Sequence, residues 1–106
     1  MELEQLRIFC AVAACRSFTR AAKELFVSHS TTSRAVTALE RELGVPLLTR
    51  DRHTVALTGA GAALLTGAEA LLRDADALAD AVRAAAEPVE AVEPLEAVEP
   101  LETAEE

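Results

Sequence analysis

The sequence predicts a mainly α fold: a three-helix core with a small two-stranded wing, then a long helix and an acidic tail. Three observations predict it. The stretch from Ser17 to Gly44 reads as two helices joined by a tight turn, each with its own cap: Ser17 ahead of Phe18–Leu25, Ser28 ahead of a longer helix that ends at Gly44. A second apolar pattern, from Leu64 to Val82, repeats at heptad spacing. Aromatics make up only 3% of a chain that is 51% hydrophobic, with three Phe and no Trp or Tyr, which suits a small helical core better than a β-sandwich. At 106 residues the chain holds one small domain and its appendages.

The first helix is predicted from about Glu2 to Cys15. Leu3, Leu6, Phe9, Cys10 and Ala13 follow the 3–4 spacing of a buried stripe, with Glu2, Glu4 and Arg7 outside it. The second helix brings Phe18, Ala21, Ala22 and Leu25 to the same core, and the Ala pair is a packing demand, since closely crossing helices need small side chains. Phe26 and Val27 form the turn, with Val27 placed as a hydrophobic staple ahead of the Ser28 cap. The third helix is expected to bury Val36, Leu39 and Leu43, leaving His29, Ser30, Thr31, Arg34 and Thr37 on its other face and Ser33 at the turn above.

After Gly44 the pattern changes. Val45-Pro46-Leu47-Leu48 and Thr54-Val55-Ala56-Leu57 read as two short strands joined by the polar loop Arg50-Asp51-Arg52-His53. Thr58 caps a fourth helix of about 27 residues that ends before Pro88. Leu64, Ala68, Leu71, Ala75, Leu78 and Val82 form its seam, widened by Leu65, Leu72 and Ala79. At 1.5 Å per residue this helix spans about 40 Å, so the seam is expected to need a partner. Gly59, Gly61 and Gly67 are expected to weaken its first turns. The tail is a repeat, EPVEAV, EPLEAV, EPLETA, with Pro every six residues, and is expected to be a disordered or polyproline-like arm. The organisation is therefore residues 1–58 as a winged helix-turn-helix, 59–86 as a linker and dimerisation helix, and 87–106 as an acidic tail.

The net charge of −8 belongs to the tail, not to the domain. Residues 1–58 carry eight bases against six acids, residues 59–86 two against four, and residues 87–106 eight Glu with no base. The +2 domain is compatible with DNA, and a polar face at the start of a second helix is how a helix-turn-helix meets the major groove. Arg34 is the candidate for guanine O6 and N7, a contact that contributes about 1–3 kcal/mol of discrimination. His29, Ser30, Thr31, Ser33 and Thr37 surround it. Ser17, Thr19 and Arg20, where the second helix crosses the strand, are candidates for phosphate contacts, and Ser28 is a cap first and a phosphate donor second. Arg50, Arg52 and His53 in the wing are candidates for phosphate or the minor groove. The tail is expected to weaken non-specific binding by repelling phosphates, an effect that salt screens.

No nucleophile–base set, paired buried carboxylates or phosphate-binding Gly loop is present, so an enzyme and a cofactor are not expected. Two His 24 residues apart, without spaced Cys or carboxylate partners, do not make a metal site. Cys10 and Cys15 lie about 500° apart around the first helix and cannot bridge; the expectation is one core thiol and one more exposed one. The acidic N-terminus is not a signal peptide and no apolar run reaches membrane-spanning length, so a cytoplasmic protein without a membrane partner is expected.

Taken in order and without gaps, LEQLRIFCAVA, SFTRAAKEL, VS, SRAVTALERELGVPLLTR and LTGAG resemble the N-terminal DNA-binding half of a LysR-type transcriptional regulator over residues 1–86. The resemblance implies a winged helix-turn-helix that dimerises through the linker helix and binds double-stranded DNA at an interrupted palindrome. Arg34 and its neighbours would meet bases and the wing the minor groove and backbone. The implied partner is a second copy, giving a homodimer, a higher oligomer, or a heterodimer with a related regulator. Two features depart from the family. His29-Ser30-Thr31-Thr32 stand where Gln-Pro-Ala-Leu is usual, so site preference does not carry over. Glu-Pro repeats stand where the ligand-binding domain would follow, so no small-molecule effector site is expected in these residues. Two alternatives fit the same residues: an interaction protein that titrates a full-length relative through the linker helix, and a DNA mimic acting through the acidic tail.

Overall fold

The computed structural model describes residues 1–51 and 54–86. Arg52 and His53 of the wing, and the acidic repeats of residues 87–106, lie outside the described residues. The chain order is α1 (Leu3–Cys15), α2 (Phe18–Leu25), α3 (His29–Leu43), β1 (Leu48–Arg50), β2 (Val55–Leu57) and α4 (Gly59–Ala84).

Local chemistry sets most of these boundaries. The Ser17 hydroxyl accepts the Arg20 N–H at 3.0 Å, Ser28 accepts the Thr31 N–H at 3.0 Å and Thr58 accepts the Gly61 N–H at 2.9 Å. Each satisfies an orphan donor of a first helical turn. At the start of α1 the Glu2 N–H donates to the Gln5 side chain at 3.0 Å. Gly44 closes α3 in the left-handed region, φ 75°. Two non-glycine residues share that conformation, Arg16 after α1 and Phe26 after α2, at φ 55° and 58°.

The core gathers Leu6, Ile8, Phe9, Val12, Ala21, Val36, Leu39, Leu47, Leu48 and Ala68. On α1 the buried arc is rotated about 90° from the expected stripe. Ile8 and Val12 are buried, Leu3 is exposed, and Cys10 and Ala13 are half-buried. The reason is tertiary: α1 packs against α2 and α3 and also against α4, so its buried surface is wider than one stripe. Ala21 and Ala22 are both buried, as crossing helices require. On α3, Thr32 joins Val36 and Leu39 in the interior, while Leu43 lies exposed at the helix end. The buried Thr32 hydroxyl is satisfied by donating to the Ser28 carbonyl at 3.1 Å.

The wing is an antiparallel pair in the register Leu48↔Leu57, Thr49↔Ala56, Arg50↔Val55, closed by the Asp51 N–H donating to the Thr54 carbonyl at 2.9 Å. Its first strand starts later than the sequence suggests, and Arg50 belongs to β1 rather than to the loop. Two contacts explain the shift. The Glu40 carboxylate on α3 accepts the N–H groups of Leu47 and Leu48 at 2.8 and 3.3 Å, holding residues 45–47 as a bend beneath the sheet. Thr58 clamps the same bend, its hydroxyl donating to the Pro46 carbonyl at 2.8 Å and its N–H to the Leu47 carbonyl at 3.0 Å. Gly61 is part of this joint: a Cβ there would collide with the Leu47 carbonyl oxygen. Gly61 is thus a requirement of close packing and not a weak point in α4, whereas Gly59 and Gly67 face open space.

Candidate nucleic-acid interface

The face of α3 opposite its buried side carries the polar residues. Thr32, Val36 and Leu39 point inward at i, i+4 and i+7. Ser30, Ser33, Arg34 and Thr37 then fall within an arc of about 100° on the opposite side. Ser30 and Arg34 are exposed, and Ser33 and Thr37 half-buried. His29 sits at the flank of this arc, exposed, and Thr31 at the other flank, half-buried. Ser28 is committed to the helix start: it accepts the Thr31 N–H and donates its own O–H to the Thr31 hydroxyl at 2.9 Å. A single hydroxyl proton used in this way is not free for phosphate, so the cap is what the geometry supports.

At the start of α2, Thr19 and Arg20 are exposed while Ser17 is held as a cap. Arg50 on β1 swings toward the helices, its guanidinium lying 4.6 Å from the centre of the Phe18 ring. The wing strand is therefore tied to the start of α2, next to the start of α3. Among the described residues Arg7 pairs with Asp76 and Arg83 with Asp80, each at 3.3 Å, whereas Arg20, Arg34 and Arg50 pair with no carboxylate. Arg16, Lys23, Arg41 and Arg73 likewise lack a carboxylate partner among the described residues.

The helix α4 divides into two parts. Ala68 is fully buried in the chain's own core, and Leu64, Leu65 and Leu72 pack partly against it. The seam differs from the expected one: Ala68 is not available to a partner, because it is fully buried in the chain's own core, where α4 packs against α1. The exposed part of the stripe is Leu71, Leu78 and Val82, at 48%, 66% and 62% exposure, with Ala75 half-buried among them.

Both thiols are held in the protonated form. Burial pushes Cys10 above the usual cysteine range, reinforced by the charge of Glu69. Cys15 is raised by desolvation and then by the nearby Glu24 carboxylate, against a smaller opposing pull from Arg20. Neither environment favours the reactive thiolate. Among the described residues no helix is long and apolar enough to cross a membrane.

Residues 3–62 match the family described as bacterial regulatory helix-turn-helix protein, lysR family. The chain belongs to the LysR family. Its curated relatives include the Hca operon transcriptional activator HcaR of Escherichia coli, 49% identical over 76 residues that cover 72% of this chain and 26% of the relative. A probable hydrogen peroxide-inducible genes activator of Mycobacterium avium is 44% identical over 86 residues, 81% of this chain and 29% of the relative. The chain thus spans little more than a quarter of the length of these LysR-family proteins. Among solved structures, the CbnR DNA-binding domain in complex with DNA superposes with a TM-score of 0.78 at 44% identity, covering 82% of this chain and all of that one. The BenM DNA-binding domain with catB site 1 DNA gives 0.77 at 36% identity over 83% of this chain and again all of that one. The three helices, the wing and the long helix are thus the winged helix-turn-helix of the LysR family, a family of transcription regulators and not of enzymes.

Proposed function

We propose that this chain is the DNA-binding and dimerisation part of a sequence-specific transcriptional regulator, placing α3 in the major groove of an interrupted palindrome as a dimer. The observation that carries the reading is the exposed arc Ser30–Arg34–Thr37, opposite the buried Thr32, Val36 and Leu39. It presents hydroxyls and an unpaired guanidinium at the N-terminal half of a helix, where base edges are read. Solved DNA complexes of similar domains support it. Arg50 and, from its place in the sequence, Arg52 would neutralise phosphates beside the groove, as would Arg20 at the start of α2. The exposed stripe of Leu71, Leu78 and Val82 suits a second copy, and two half-sites read by two α3 helices give an area that one alone lacks.

The test is a comparison of the full chain with Arg34→Ala on its best site and on random DNA. The variant is expected to lose about 1–3 kcal/mol on the site and much less on random sequence, relaxing preference at one base step. Equal losses on both would place Arg34 on phosphate instead. The same α4 stripe would serve a heterodimer with a longer relative. Mixing the chain with such a relative would then erase the relative's footprint, whereas the proposed regulator protects its own.

A further inference from the structure

Phe18 has two aromatic or cationic neighbours from outside its own helix. It is the first residue of α2, fixed behind the Ser17 cap, half-buried, and packed against the core. The Arg50 guanidinium of β1 lies over its ring at 4.6 Å, within cation–π range. The His29 ring, first in α3, lies with its centroid 6.1 Å away at an interplanar angle of 41°, within the range of aromatic pairs. Three separate elements of the candidate interface therefore meet on one side chain.

We propose that Phe18 is a positioning residue for DNA recognition, holding the Arg50 guanidinium of the wing in one fixed place beside the start of the recognition helix. This rests on the interface reading above and adds to it a residue that touches no DNA. The chemistry favours arginine at 50. A guanidinium stacked by its face keeps its in-plane N–H donors free for phosphate oxygens, and stacking removes rotamer freedom that binding would otherwise have to remove. Lysine offers no flat face and would lose that arrangement.

The experiment is a double-variant cycle on the full chain, with binding measured on the selected site and on random DNA over a salt series. Arg50→Ala is expected to weaken both about three- to tenfold and to reduce the salt slope by about one. Phe18→Leu is expected to weaken binding about two- to fivefold, as loss of a partly exposed cation–π contact does. The double variant should bind within about twofold of Arg50→Ala alone, since the ring acts through the guanidinium. Phe18→Tyr keeps an aromatic face and should bind as the wild type. NMR gives an independent readout: the Arg50 δ-methylene protons should be shifted upfield by the ring in the wild type and in Phe18→Tyr, and not in Phe18→Leu. Losses that multiply in the double variant, or a Phe18→Tyr as weak as Phe18→Leu, would overturn this role and leave the interface reading standing. A wild type that binds no DNA, or an Arg50→Ala that binds as the wild type, would overturn the wing contact and this role together.

Discussion

Phe26 shows how a single residue reveals what the turn of the helix-turn-helix costs. It occupies the left-handed region at φ 58° and is 93% exposed, so it bears backbone strain with almost no burial to offset it. For a residue with a Cβ that conformation costs roughly 1–2 kcal/mol, while glycine adopts it freely at a smaller cost in unfolded-chain entropy. Phe26→Gly is expected to stabilise the domain by about 0.5–1 kcal/mol, raising the melting midpoint by a few degrees in calorimetry. A lowered midpoint would show that the ring makes a stabilising contact. The caps Ser17, Ser28 and Thr58 and the stop at Gly44 were legible in the sequence because each acts within three or four residues of itself. The left-handed Arg16 and Phe26 were not, since neither residue type advertises that conformation. Nor was the Arg50–Phe18 contact legible, because it joins side chains 32 positions apart in the chain. Thr32 had a readable signal: it lies four residues before Val36, on the same face.

Between elements, the joint under the wing decides where α4 begins and which way it points. Leu47 is buried, its N–H held by Glu40 and its carbonyl by the Thr58 N–H, and Gly61 lets α4 pass against that carbonyl. Hydrogen bonds to a carboxylate contribute about 1.5–3 kcal/mol, so Glu40 is a substantial part of this joint. The two helical glycines make a paired test. Gly61→Ala forces a methyl into backbone and is expected to destabilise by about 1–3 kcal/mol, despite the better helix propensity of alanine. Gly67→Ala meets open space and should stabilise by about 0.5–1 kcal/mol. Denaturant melts of the two variants check both signs; destabilisation by both would mean that Gly67 also faces a partner. The helices and the hairpin were legible as elements, from 3.6-residue periodicity and turn residues. The turn of α1 by about 90° and the late start of β1 were not, because they follow from α4 packing against α1 and from Glu40 reaching residues seven and eight positions ahead.

Across the whole molecule, one helix serves two purposes. α4 completes the core through Ala68 and presents Leu71, Leu78 and Val82 to solvent. The solvent-exposed Arg7–Asp76 pair, between Leu71 and Leu78 along the helix, contributes at most about 1 kcal/mol and does not by itself fix the helix. Leu71→Glu combined with Leu78→Glu is therefore expected to leave the monomer fold intact, to give monomers, to remove the concentration dependence of the melting midpoint together with the stability that association adds, and to weaken site binding by more than tenfold. Sedimentation at micromolar concentration reads the first effect, and a wild type that sediments as a monomer there would remove the basis for a dimer. The central claim is that two α3 helices read a specific, two-fold related DNA sequence. The most direct test is selection of bound sequences by the full wild-type chain from a randomised duplex pool at physiological salt. The account predicts enrichment of two inverted half-sites at a fixed spacing, with the enriched positions relaxed by Arg34→Ala. A pool that remains random after repeated rounds would contradict it.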